Sequence, residues 1–131
     1  TIDQLNKNND VFVYGSHLYN HFNAVNLSKS ELAFQIEKNS KELKKLNGNP
    51  ELFSYPFGQP NTCYNLETDK AILNLGVKKI FYANILKNTS FLNSFFYRVA
   101  TENKFNLGYM KFVSIFKPFF NQLVNDSKNK H

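Results

Sequence analysis

The sequence predicts an α/β domain of parallel strands alternating with helices, and three observations carry that expectation. Short β-branched and aromatic runs recur at residues 11–14, 52–55 and 77–83, stretches with helical repeats separate them, and Gly or Pro punctuates the junctions. With 131 residues the chain suits one domain, residues 1–131, large enough to bury a core.

In chain order, residues 1–9 are polar with Ile2 and Leu5 as apolar points, the pattern of a helix end whose body precedes Thr1. Residues 11–14 (Val, Phe, Val, Tyr) read as a buried strand ended by Gly15. Ser28 followed by Glu31 is a capping-box signature, so a helix should run from Ser28 to about Leu46, burying Leu32, Ile36, Leu43 and Leu46. Asn47-Gly48-Asn49-Pro50 stops it. Residues 52–55 form the next strand, broken by Pro56-Phe57-Gly58. Residues 66–75 suit a helix with Ala71, Ile72 and Leu75 inward and Gly76 as its stop, followed by a strand through Val77 and residues 80–83. Residues 95–99 read as a last strand. Residues 107–124 read as a helix with a kink or restart at Pro118, and the polar tail of residues 125–131 as frayed.

Composition narrows the function. The net charge is +6, yet Arg98 is the sole arginine. Base and phosphate readers rely on guanidinium forks, so the lysines describe a solvated surface and no nucleic-acid partner is expected. No apolar run approaches the roughly 20 residues of a transmembrane helix. Cys63 is the single cysteine. It cannot form an internal disulfide, and with Thr62 and Tyr64 as neighbours it has no adjacent activating base, so it reads as structural.

The stretch that organises the chain is Gly15-Ser16-His17-Leu18-Tyr19-Asn20-His21. A turn brings positions i and i+4 to one side, where two neutral imidazoles each offer a lone pair to a metal. The competing reading is a pair of polar histidines at a strand-to-loop junction. Tyr55-Pro56-Phe57-Gly58 follows another strand, so parallel topology places it on the same face as His17. Its rigid backbone can direct an N–H toward an oxyanion, or it can be an ordinary turn.

Together these motifs resemble the polysaccharide deacetylases, the NodB-homology domain of carbohydrate esterase family 4. His17 and His21 match a His-Ser/Thr-x-x-His motif, with Leu18 at the Ser/Thr position. Residues 53–58 match Phe-x-Tyr-Pro-Tyr-Gly, with Phe57 for the second Tyr. The resemblance spans roughly residues 2–99 and implies a partial, distorted (β/α) barrel of the NodB-homology type. It implies hydrolysis of a non-peptide amide C–N bond, removing acetyl groups from an N-acetylated polysaccharide or oligosaccharide with a divalent metal, commonly zinc. His17 and His21 would bind the metal and the Phe57 backbone N–H would hold the oxyanion. Tyr55, Pro56 and Arg98 would lie beside the substrate, Arg98 as the counterpart of a late arginine in some members; a surface ion pair is the equal alternative for it. The resemblance also implies a cell-envelope, periplasmic or extracellular setting.

The family's Asp-Asp motif has no counterpart here, since Asp3 and Asp10 stand in the wrong context, and no Leu-x-His motif occurs. A complementary N-terminal segment is therefore expected to supply the Asp residues, and residues 1–131 alone are expected to be inactive. Two other readings stay open: a non-catalytic relative that binds glycan or protein, and a Lys-rich nucleic-acid binder whose affinity falls steeply with salt.

Overall fold

A computed structural model of the chain describes residues 2–7, 12–58, 61–83 and 93–98, together with 108, 109, 111 and 116–118. After α1 (Ile2–Asn6) come β1 (Gly15–Ser16), a 3-10 turn (Ala24–Asn26), α2 (Lys29–Lys45), β2 (Asn49–Ser54), α3 (Leu66–Asn74), β3 (Lys79–Tyr82) and β4 (Phe95–Tyr97). The four strands form one sheet in the order β1-β2-β3-β4, and every neighbouring pair is parallel.

Local chemistry sets the helix limits. Ser28 caps α2 in a complete capping box: its hydroxyl accepts from the Glu31 N–H, and the Glu31 carboxylate accepts from the Ser28 N–H at 2.8 Å. At the other end Gly48 N–H reaches back to the Leu43 carbonyl at 2.8 Å while Asn47, at φ +51°, turns the chain left-handed. That is the Schellman ending, with Asn in the position glycine usually fills. α3 has its own box, in which Asn65 accepts from the Glu67 and Thr68 N–H groups and Thr68 accepts from the Asn65 N–H.

Several boundaries differ from the sequence expectation: β2 begins at Asn49, inside the expected stop, and ends at Ser54, and β3 begins only at Lys79. Phe12 and Val13 are exposed, and the first strand is only Gly15–Ser16, with an irregular register against β2. It lies so close to β2 that a Cβ on Gly15 would stand 3.0 Å from the Leu52 carbonyl oxygen. Leu75 is exposed, because α3 ends at Asn74 and Leu75 is its C-cap, one residue beyond the helix that buries Thr68, Asp69 and Ile72. The last strand ends at Tyr97. Val11, Val99, the polar interval beginning at Asn84 and the terminal tail lie outside the described residues, as does most of the stretch expected to be helical at 107–124.

α2 packs on β1 and β2 and touches α3. The core is a single cluster that includes Leu32 and Ile36 of α2, Ile72 of α3, Phe53 of β2 and Ile80 and Tyr82 of β3. Cys63 is buried in it as a free thiol. Burial of each large apolar side chain contributes roughly 1.5–3 kcal/mol. The alternation of β2 and β3 sends Phe53, Ile80 and Tyr82 toward the helices and turns Leu52, Ser54 and Phe81 to the opposite face.

The capping box gives a direct test. Ser28→Ala should lower stability at neutral pH by about 1 kcal/mol in urea denaturation. Hydrogen bonds from the Ser28 hydroxyl and N–H hold the Glu31 carboxyl below the usual glutamate range. The carboxylate's contribution is therefore present above that range and lost as pH falls through the lowered value, so the gap between mutant and wild type should narrow in acid to the part owed to the Glu31 N–H bond to the Ser28 hydroxyl.

Candidate active site

The sheet register brings the two motifs together. Ser16 pairs with Phe53, so the next residues, His17 and Ser54, emerge side by side at the C-terminal ends of β1 and β2. There the His17 Nδ1 lies 2.7 Å from the Ser54 carbonyl oxygen. A carbonyl can only accept, so Nδ1 carries the hydrogen and the lone pair of the neutral ring sits on Nε2. Burial pushes the His17 pKa below its ordinary value, against the opposing pull of the Ser54 carbonyl, and the charges of His21 and Arg98 lower it further. At neutral pH the imidazole is held uncharged.

His21 reaches the same place through a bend, not through a helical turn. Leu18 at φ +59° and His21 at φ +54° are both left-handed, and the two imidazole centroids end 4.8 Å apart. Leu18 is buried and anchors the bend. Two amides on α2 hold the rest: Asn39 Oδ1 accepts from the Ser16 hydroxyl at 2.7 Å and from the His17 N–H at 3.2 Å, and Gln35 Oε1 accepts from the Asn20 N–H at 2.8 Å. Sequence reading passed over both. Their spacing of four residues on the inward side of an otherwise charged helix was the available signal.

Across from the histidines the Phe57 ring packs edge-on against His21, with centroids 4.8 Å apart. Phe57 has φ +63°, and the Gly58 N–H donates to the Pro56 carbonyl at 2.7 Å. These are the marks of the rare positive-φ γ-turn. Such a conformation costs a non-glycine residue on the order of 1–3 kcal/mol and persists only when its surroundings impose it. The turn consumes the Gly58 N–H, whereas the Phe57 N–H donates to no described residue. Tyr55 and Pro56 are completely buried beneath the turn, and the Tyr55 hydroxyl donates to Asp69 at 2.8 Å. Asp69, a buried carboxylate on α3, was not singled out by the sequence.

Arg98 follows β4 and shares a cleft of about 380 Å³ with Gly15, His17, Leu52, Ser54 and Phe81 on the sheet face turned away from the helices. Its backbone N–H donates to the Tyr82 carbonyl. The Arg98 Nε and the Ser54 hydroxyl are buried with no partner among the described residues. The structure thus gathers His17, His21, Phe57 and Arg98 around the strand ends and sets Tyr55 and Pro56 below them.

A family model, polysaccharide deacetylase, matches residues 3–80, more than half of the chain, including both histidines and the whole turn. The chain belongs to the polysaccharide deacetylase family. Neither a curated protein nor a solved structure matches it. The parallel sheet with its alternating helices is that of a partial deacetylase domain of the NodB type. Among the described residues of this deacetylase domain no third His, Cys, Asp or Glu joins the histidine pair as a metal-binding group.

The turn makes a stability prediction. A Cβ on Gly58, at φ +72°, would stand 2.3 Å from the Ala83 Cβ, whereas one on Gly76, at φ +95°, meets nothing within 4 Å. Gly76→Ala should cost only the left-handed penalty of about 1–2 kcal/mol. Gly58→Ala adds an overpacking cost of about 1–3 kcal/mol, a difference that parallel chemical denaturation of the two variants will measure.

Proposed function

We propose that this protein removes acetyl groups from N-acetylated sugars of a polysaccharide or oligosaccharide, using a divalent metal, zinc for preference, held by His17 and His21. The reading is carried by one observation: two imidazoles whose centroids are 4.8 Å apart face a strained turn that leaves the Phe57 N–H uncommitted. The donor chemistry fits a metal. An imidazole that gives its Nδ1–H to a backbone carbonyl and keeps Nε2 free is the usual state of a metal-bound histidine.

A tetrahedral ion takes four ligands, so carboxylate or water from outside the described residues completes the set in this reading. A complementary segment bearing Asp residues would supply a ligand and the general base. When bound, the metal polarises the amide carbonyl and makes water a stronger acid. The chain's own residues do the rest. The Phe57 N–H donates to the oxygen that gains charge as the acetyl carbon becomes tetrahedral. Because the donor is backbone, a Phe side chain serves as well as Tyr. Arg98 contributes a fixed positive charge in the cleft beside His17, where a polar substrate group can meet it. Tyr55 and Pro56 act on substrate through the turn they support.

Zinc titration of the 131-residue chain tests this. Binding should be micromolar or weaker, as two ligands allow, and should vanish in both His17→Ala and His21→Ala. Acetate release from an N-acetylated oligosaccharide should be negligible until an Asp-bearing complement is added. Nanomolar zinc affinity with robust acetate release by residues 1–131 alone would overturn the need for a complement. Sugar binding that survives His17→Ala, with no acetate release after complementation, would assign a non-catalytic glycan-binding role.

A further inference from the structure

One buried acid has no part in the chemistry proposed above. Asp69 is 7% exposed, and the ion pairs among the described residues, Lys41–Glu37, Lys45–Glu42 and Lys78–Glu51, do not include it. Its carboxylate is satisfied by two phenols: Oδ1 accepts from the Tyr55 hydroxyl at 2.8 Å and Oδ2 from the Tyr82 hydroxyl at 2.7 Å. Removing a carboxylate from water carries a large desolvation cost, which short charge-assisted bonds of this kind offset. Burial is the first cause, and Asp69 a further one, that pushes both tyrosine pKa values far up, so both remain donors throughout the ordinary pH range.

The two tyrosines occupy particular places. Tyr55 is the residue before Pro56, where the γ-turn starts, and Tyr82 is the residue before Ala83, the side chain against which Gly58 closes. Their rings run parallel, 5° apart in plane, and Tyr64 stacks on both at 4.8 and 4.6 Å. One carboxylate on α3 therefore ties the C-terminal ends of β2 and β3 together at the two points between which the turn is wedged. A positive-φ phenylalanine needs such a constraint from outside itself.

We infer that Asp69 is a positioning residue: by clamping Tyr55 and Tyr82 it imposes the strained Pro56-Phe57-Gly58 turn and so aims the Phe57 N–H. The mechanical part stands on the geometry alone, while its catalytic consequence rests on the oxyanion reading of Phe57.

The test compares Asp69→Asn with Tyr82→Phe, which keeps the ring and removes one hydroxyl, in the full chain by amide hydrogen exchange and by acetate release after complementation. The Gly58 amide, bonded to Pro56 only while the turn is closed, should exchange at least tenfold faster in both variants, with the Leu32 and Ile36 amides of α2 unchanged. Acetate release should fall at least tenfold in kcat with KM held. Unchanged exchange at Gly58 in either folded variant would overturn the clamp. Equal acceleration at Gly58, Leu32 and Ile36 would also overturn it, since Asp69 would then serve only global stability. Faster Gly58 exchange with undiminished acetate release would uphold the clamp and remove the oxyanion role of Phe57.

Discussion

The hydrogen bond from His17 Nδ1 to the Ser54 carbonyl is the interaction on which the site depends. It exists because β1 and β2 pair in parallel with Ser16 opposite Phe53, which makes His17 and Ser54 the first neighbours beyond the pairing. It fixes the tautomer, and with it the ring nitrogen left to face a ligand. Ser54 also leads directly into Tyr55 and the γ-turn, so the strand that orients the imidazole also sets the distance to the Phe57 N–H. A one-residue slip of β2 would present Phe53 and Tyr55 to the wrong face and undo both at once.

Around that bond the backbone is held in conformations that side chains avoid. Leu18, His21 and Phe57 all lie at positive φ, none of them glycine or asparagine. Each is opposed by a buried contact. Leu18 is sunk in the core, the loop between the histidines is tied to Gln35 and Asn39, and the Phe57 turn rests on Tyr55, Pro56 and Ala83. The helices thus have two functions. Their apolar residues build the core, and their few inward polar groups, Gln35, Asn39 and Asp69, hold the strand-end loops in place. Buried polar groups of this kind are costly when half satisfied, and all three here are bonded.

Much of this was legible from the sequence. Alternation of short β-rich runs with capped helices gave the parallel α/β order. The Ser28–Glu31 box and the Asn47-Gly48 stop placed α2 to within a residue, because capping is chemistry local to a few side chains. The pairing of the histidine loop with the aromatic turn followed from topology, since parallel strands deliver their ends to one side. What stayed hidden depends on neighbours distant in sequence. A carboxylate four residues into a helix reads as solvated, and nothing near Asp69 in the chain says that Tyr55 and Tyr82 will close on it. Residues 11–14 have strand composition, yet Phe12 and Val13 face solvent, because pairing to β2 begins only at Gly15, where the absence of a Cβ lets the backbones approach. Periodicity places Leu75 on the inward face with Thr68 and Ile72, whereas α3 ends at Asn74 and leaves Leu75 as an exposed C-cap.

The two faces of the sheet divide the work. On the helix side Gln35 and Asp69 are bonded, and the Tyr55 and Tyr82 hydroxyls end on Asp69. On the other side the Ser54 hydroxyl and Arg98 Nε are buried without one among the described residues, in the cleft that His17 also lines. An unmet buried donor costs about 1–3 kcal/mol, and a charged one more, so a folded chain keeps such groups where something returns the energy. In the proposed deacetylase reading a polar substrate entering the cleft would do so, by satisfying donors already oriented and already desolvated. Burial lowers the His17 pKa, with the Arg98 guanidinium a lesser cause in the same direction, and both favour the uncharged ring that the proposed metal role would require. The helix face gives the domain its rigidity, and in the proposed reading the face turned away from the helices would use that rigidity for recognition.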